Sequence, residues 1–189
     1  MDIFRKLVLL TIPGPHSYIE EVYRIGRQCP PLQRPGNLAM LPMKSRYALK
    51  ALVYLARHDS GGPVLIADIA RDEAIPRKFL EGILLELRNQ GFLASRRGKN
   101  GGYNLLLPPA LISLGAVIRT LTGPMAPLPC LSRTAYQRCA ECADETTCAP
   151  RLLMADVHAE TLRIVDGTSL ADLLTRLDAA ELSLITRKD

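Results

Sequence analysis

Residues 66–107 read IADIARDEAIPRKFLEGILLELRNQGFLASRRGKNGGYNLLL, and the fold turns on how this stretch divides. Pro76 suits the first turn of a helix, because the N–H it lacks would have no partner there anyway. Beyond it, Leu80, Ile83, Leu84 and Leu87 recur at i, i+3, i+4 and i+7, the buried stripe of an amphipathic helix reaching to near Asn89. Gly91 supplies the stop. Before Pro76, Ile66–Arg71 reads as a shorter helix with Ile69 and Ala70 inward, joined by a turn through Glu73-Ala74-Ile75. After Gly91, Phe92–Arg96 and Tyr103–Leu107 read as hairpin arms. Their tip is residues 98–102, where Asn100-Gly101 suits a turn with positive φ.

Upstream, Ala48, Leu52 and Leu55 form a helical stripe from Ser45 to His58, with Ala51 and Tyr54 beside it and Ser45 as the expected N-cap. Gly61-Gly62-Pro63 ends that helix. Downstream, Ser113 is placed to cap a helix through Leu121, Pro150 opens a long helix to about Val165, and a short last helix starts near Ser169. The expected fold is therefore mainly α with a small β-hairpin wing, a winged helix-turn-helix followed by a long C-terminal helix. The expected organisation is a poorly ordered extension over 1–39, a winged-helix domain over 40–122 and a cysteine-rich loop over 123–149. The helical segment 150–177 and a tail, 178–189, complete it.

Residues 1–39 lack sustained periodicity and contain Pro13-Gly14-Pro15, Pro30-Pro31 and Pro35-Gly36. Met40 and Met43 stand where patterning begins, so a translation start there competes with a genuine extension. Cys29 receives no role. Leu7–Ile12, after Arg5 and Lys6, is too short for a secretory signal. No apolar run approaches the ~18 residues of a membrane span. A reducing cytoplasm is the expected compartment. Of 189 residues 48% are hydrophobic, enough for a core, which must be aliphatic with no Trp and three Phe.

Net charge is +5, but its placement is the more informative quantity. Residues 40–107 carry 11 Lys/Arg against 6 Asp/Glu, whereas residues 108–189 carry 8 against 10. The helical unit is thus the segment suited to an anionic partner. In a winged helix-turn-helix the second helix of the pair lies in the major groove of double-stranded DNA. Arg77, Lys78 and Glu81 occupy the N-terminal half of that helix, the end that reaches base edges. Arg77 and Lys78 suit phosphate or guanine, and Glu81 suits the cytosine amino group. In the hairpin, Arg96, Arg97, Lys99, Asn100 and Tyr103 combine cations with glycines that let backbone approach phosphates or a narrow minor groove. Glu86 and Arg88 read as a solvated face. Gly98-x-x-Gly101 does not open a helix, which argues against a nucleotide cradle. Gly82 costs about 1 kcal/mol relative to Ala inside a helix, and either close DNA approach or dominant packing accounts for it.

Cys130, Cys139, Cys142 and Cys148 have the spacing C-x8-C-x2-C-x5-C. Four thiols within nineteen residues exceed what packing needs, and three chemistries fit. They are an iron–sulfur cluster, a zinc site, and bare thiols that form a disulfide on oxidation. Only one C-x2-C pair is present, against the two usual in zinc ribbons. Cys148 precedes the long helix, where the helix dipole favours a thiolate. His158 lies too far along that helix to read as a ligand. A thiol oxidoreductase would need a βαβ setting around Cys139-x2-Cys142, and no Ser/His/Asp or paired-carboxylate constellation stands out. A zinc-stabilised interaction module that has lost DNA binding is the other rival.

SRYALKALVYLA, the stretch from Ala67 to Leu105 and ISLGAVIRTLTGP together resemble the Rrf-two family of bacterial winged-helix regulators, over about residues 43–175. The resemblance implies a cytoplasmic homodimer that binds operator DNA, often as a repressor. Its recognition-helix Leu-Glu pair matches Leu80-Glu81 and its wing arginine matches Arg97. It also favours an iron–sulfur cluster in the cysteine loop, responsive to redox, nitric oxide or iron status. This sequence departs from the pattern at Gly82 and at Leu65-Ile66, where a capping Ser is frequent. Its cysteines are also less evenly spaced than the three common in cluster-binding relatives, which use a different fourth ligand.

Overall fold

A computed structural model describes residues 41–59, 62–98, 101–140 and 142–186. The extension 1–39, Cys29, Lys99 and Asn100 lie outside the described residues. Six α-helices and one two-stranded sheet occur among those described: α1 (Met43–Arg57), α2 (Ile66–Asp72), α3 (Arg77–Asn89), β1 (Leu93–Arg96), β2 (Gly102–Leu105), α4 (Leu114–Thr122), α5 (Ala149–Asp166) and α6 (Leu170–Ile185). Short 3-10 turns at Pro109–Leu111 and Pro129–Leu131 punctuate the chain.

The core forms where the helical stripes meet. Ala48, Ala51, Leu52 and Leu55 of α1 pack with Leu80, Ile83, Leu84 and Leu87 of α3, and with Leu114, Val117 and Leu121 of α4. Ile69, Ile75, Leu93 and Ile112 close the sides. The N-terminal face of α4 follows its sequence signal, since the Ser113 side chain accepts from the Ala116 N–H.

Three boundaries differ from the sequence expectation. Ser45 does not cap α1. It is fully buried one turn inside the helix, because Pro42 at φ −57° already holds the entering chain and α1 opens directly behind it. Pro76 likewise stands at the cap of α3, just outside the helix, with φ −58° and ψ 121°. The last helix is not short. A capping box between Ser169 and Asp172 starts it, Leu170, Leu173 and Leu174 seat it on the core, and it continues to Ile185 through residues expected as tail. Arg57 reinforces that extension through Asp178 at 2.8 Å and Glu181 at 2.9 Å.

The long helix α5 behaves differently: none of its 18 residues is buried. Leu152, Leu153, Val157 and Ile164 are exposed along it. Its C-terminal end is nonetheless fixed. Asp166 pairs with Arg119 of α4 at 2.7 Å and sits where a side chain at Gly115 would collide with it. The Leu114 N–H donates to Thr168 O (3.0 Å) and the Leu170 N–H to Ile112 O (2.9 Å), which brings the chain back beside the start of α4.

Candidate nucleic-acid interface and cysteine loop

The stripe of α3 leaves its remaining residues no choice of side. Because Leu80, Ile83, Leu84 and Leu87 are each no more than 1% exposed, Arg77, Lys78, Glu81, Gly82, Leu85 and Arg88 are turned outward. Contacts along one flank set how α3 sits on α1. Lys44 pairs with Glu86 at 2.7 Å, and Phe79 meets Tyr47 edge-on with ring centroids 5.8 Å apart. Glu86 is thus an anchor as well as a partly solvated residue. The preceding turn is held as firmly. The Tyr54 hydroxyl donates to Asp72, and Lys50 Nζ donates to Glu73 O at 3.1 Å while standing 3.3 Å from the Glu73 carboxylate. Between α2 and α3, Ala74 takes φ 52°.

The start of α3 has no acidic residue in its first turn and carries Arg77 and Lys78 there. That arrangement opposes the positive end of the helix dipole, at about 0.3–1 kcal/mol per misplaced charge. Stability of the isolated chain does not explain it, whereas an external anion at the helix start does. Arg77 pairs with Glu81 at 3.2 Å. Lys78 has no ion-pair partner among the described residues.

The wing pairs β1 and β2 antiparallel, with Leu93 opposite Leu105 and Arg96 opposite Gly102. A second strap ties it to the helices. The Val64 N–H donates to Tyr103 O at 2.8 Å, and the Tyr103 N–H returns to Val64 O at 2.9 Å. Gly102 permits this approach, since a Cβ there would collide with the Val64 carbonyl. Tyr103 is half-buried against the core, so its ring packs as well as facing the wing. Arg96 and Arg97 are exposed and unpaired among the described residues. Asn100, where positive φ is expected, lies outside the described residues; Gly98 takes φ 110°, and the Gly101 N–H donates to Gly98 O at 2.9 Å.

The cysteine loop is gathered at the start of α5. Cys130 is buried in the 3-10 turn, Cys139 is exposed, Cys142 is half-buried, and Cys148 is the N-cap of α5 without a capping hydrogen bond. All four are free thiols. Burial, and after it the neighbouring thiols, raises two of them. The Cys139 thiol is pushed up by desolvation and then by Cys130, and the Cys142 thiol by desolvation and then by Cys148. Desolvation, reinforced by the neighbouring thiols, favours protons on sulfur until a cation displaces them. As placed, no three His, Cys, Asp or Glu side chains among the described residues converge closely enough to hold a metal ion.

Four residues that sequence reasoning passed over organise this loop. The Tyr136 hydroxyl donates to Glu145, which raises the tyrosine pKa. Glu145 also lies 3.4 Å from Arg151 Nε, without the alignment of a hydrogen bond. Arg138 donates to the carbonyls of Cys142 (3.2 Å) and Ala143 (3.1 Å). Their only sequence signal is charge in and just after the cysteine loop, at Arg138, Glu145 and Arg151, which a solvated loop would also show.

Comparison with known proteins agrees with this geometry. The Rrf2 family, described as an iron-dependent transcriptional regulator, matches residues 41–176. An rrf2-like HTH-type transcriptional regulator of Rhodobacter capsulatus is 46% identical over 138 residues, which cover 71% of this chain and 92% of that protein. The HTH-type transcriptional regulator IscR of Aliivibrio salmonicida is 32% identical over 143 residues, covering 76% of this chain and 82% of that protein. Among solved structures, CymR, the global cysteine regulator of B. subtilis, superposes with TM-score 0.60 at 30% identity, covering 71% of this chain and 95% of that one. IscR of T. potens superposes with TM-score 0.58 at 27% identity, covering 74% and 88%. Among the described residues no helix is long and apolar enough to cross a membrane.

Proposed function

The chain belongs to the Rrf2 family of transcriptional regulators, and on that premise we propose that it is a homodimeric cytoplasmic repressor that senses through its cysteine loop. The α3 helix enters the major groove of operator DNA, with Arg77, Lys78 and Glu81 at its leading end. The wing residues Arg96, Arg97, Lys99, Asn100 and Tyr103 lie along the adjoining backbone or minor groove. The observation that carries this reading is the pair of cations at the start of α3, placed against its dipole, together with a wing whose two exposed arginines have no partner among the described residues. The α5 helix meets its symmetry mate, for which its exposed Leu152, Leu153, Val157 and Ile164 supply the apolar surface.

Cys130, Cys139, Cys142 and Cys148 hold an iron–sulfur cluster in this reading. The support is the donor set: four soft thiol ligands gathered before and at the cap of α5. Bound there, a cluster supplies a charge that changes with redox state, nitric oxide or iron supply. The chain transmits that change through α5, which is capped by Cys148 and ends at Asp166, clamped to Arg119 of the DNA-reading unit. Altered packing at one end of a rigid helix thereby shifts one recognition helix relative to its mate. Four free thiols within one loop also support a second reading with the same partners, in which the loop is a thiol switch; zinc is the remaining alternative.

Anaerobic purification followed by visible absorption and by iron, sulfide and zinc analysis tests the sensing half. A brown protein with iron and sulfide is expected, and a colourless protein with stoichiometric zinc overturns the cluster. DNA affinity that fails to fall steeply with salt would overturn the groove reading.

A further inference from the structure

Gly82 is the residue of α3 that its own chain explains least. A glycine inside a helix is a poorer choice than alanine. Two internal reasons can justify one, and neither applies. It is absent from the positive-φ glycines, which among the described residues are Gly91, Gly98, Gly102 and Gly123. A Cβ added at Gly82 would meet nothing within 4 Å. The position is outward and open, so the chain itself gives no reason for a bare backbone there.

Its surroundings specify what lies outside. On a helix the neighbours of residue 82 on the surface are three and four positions away, at Lys78, Phe79, Leu85 and Glu86. Phe79 is 45% exposed and Leu85 43% exposed, so two large apolar side chains flank the gap. Beyond them stand Arg77 and Lys78 at the helix start, and Arg96 and Arg97 on the wing. A bare backbone between two exposed apolar side chains, on a face that carries Lys78 and also Glu81 and the half-exposed Glu86, suits a partner whose recessed floor presents apolar groups between charged edges. The major groove of DNA is such a surface, and the C5-methyl of thymine is the apolar group that its base edges present there.

We propose that Gly82 forms a notch in the outward face of α3 that receives a thymine C5-methyl group, with Phe79 and Leu85 as its walls. The notch rests on the reading that α3 enters the major groove. It assigns to this chain a preference for thymine at one position in each half-site, read by van der Waals contact and not by hydrogen bonding. Any side chain at position 82 would fill the notch and hold the helix away from the base edge.

The test uses the full chain, purified anaerobically, and a synthetic duplex that it selects from a randomised pool. Synthetic DNA contains no 5-methylcytosine, so thymine is the only source of the methyl group. Each thymine is then replaced by uracil, which removes the methyl and leaves pairing unchanged. At one position per half-site, uracil is expected to weaken binding at least about fivefold, the lower range for a wrong base pair. Gly82→Ala is expected to weaken binding of the thymine duplex by a similar factor and to abolish the response to uracil, while raising the thermal midpoint. Stability and affinity moving in opposite directions separates a contact role from a folding defect. Equal binding of all uracil duplexes, or a Gly82→Ala protein that keeps both affinity and uracil response, overturns the notch and leaves the groove reading standing. Failure to select any duplex overturns the groove reading and the notch with it.

Discussion

Tyr54 of α1 donates its hydroxyl proton to Asp72 Oδ2 at the end of α2, 2.7 Å away, and this bond joins the first helix of the DNA-reading unit to the second. It pushes the Tyr54 pKa up to about 12, with burial adding to the effect. Asp72 moves the opposite way, held below its usual range first by Arg71 and then by Tyr54.

The pH dependence follows from these directions. The folded state retains the Tyr54 proton beyond the ordinary tyrosine range, so the stability it contributes is complete below about pH 10 and is lost as pH rises towards about 12. The Asp72 contribution is present above the ordinary aspartate range and is lost as pH falls through its lowered folded value; solvent screening keeps it small. Tyr54→Phe should cost about 1 kcal/mol at pH 7. The gap between the two proteins should close between about pH 10 and 12. Urea melts of both proteins across that range measure it, and a pH-independent gap would show that the bond does not form.

The turn between α2 and α3 stores strain at a single residue. Ala74 sits at φ 52°, a region that costs an L side chain about 1–2 kcal/mol. Ala74→Gly removes that cost but gives the unfolded chain more freedom, worth about 0.4–1 kcal/mol the other way. A net gain of about 0.5–1 kcal/mol is expected from these opposing terms. Ala74→Val should lose more than 1 kcal/mol, since a β-branched side chain is least tolerated at positive φ. Denaturant midpoints of the two variants decide it.

Gly102 is the opposite kind of position, one where a side chain cannot enter. A Cβ there strikes the Val64 carbonyl, and the two hydrogen bonds between Val64 and Tyr103 must open to admit it. Gly102→Ala should therefore cost about 2 kcal/mol, in the range of lost backbone hydrogen bonds and backbone strain. Hydrogen exchange at the amides of Val64 and Tyr103 should accelerate selectively, while the amides of Leu84 and Leu87 in α3 keep their protection. Uniform acceleration would mean that the wing is integral to the core and not strapped onto it.

What was legible in the sequence divides along the same physical line. The stripe of α3 and the Ser113 cap were readable because burial and capping leave a local periodic trace. Pro42 displaced the expected cap at Ser45 because two start signals lay three residues apart, and the ring constraint acts before the hydroxyl can. The extent of α6 was also written locally, as Leu170, Leu173, Leu174 and Leu177 at helical spacing, although Arg57, which holds its far half, is 121 residues away from Asp178. The roles of Glu86 and Tyr136 left no such trace. Each depends on a partner, Lys44 or Glu145, whose proximity is created by the fold. The cysteines were evident as a group, but their different burial, with Cys130 enclosed in a 3-10 turn and Cys139 exposed, was not encoded in their spacing.

The two ends of the proposed DNA surface should respond differently to salt. Arg97 has no partner among the described residues, so its charge is fully available to a phosphate. Arg97→Ala should reduce the slope of log affinity against log salt by about 0.9, one phosphate contact, for every sequence alike. Arg77 starts from a different state, paired with Glu81 at 3.2 Å. To reach a phosphate it must leave that carboxylate, which then faces the DNA unpaired unless a cytosine amino group meets it. Glu81→Gln should accordingly raise non-specific affinity and steepen the salt slope, because the repulsive charge is gone. It should also lower the ratio of specific to non-specific binding, because a wrong base opposite residue 81 no longer meets a desolvated carboxylate. Salt titrations of both variants on a selected duplex and on a scrambled one measure slope and ratio together. A Glu81→Gln protein with unchanged ratio would place Glu81 outside the interface and leave it as the intrahelical partner of Arg77.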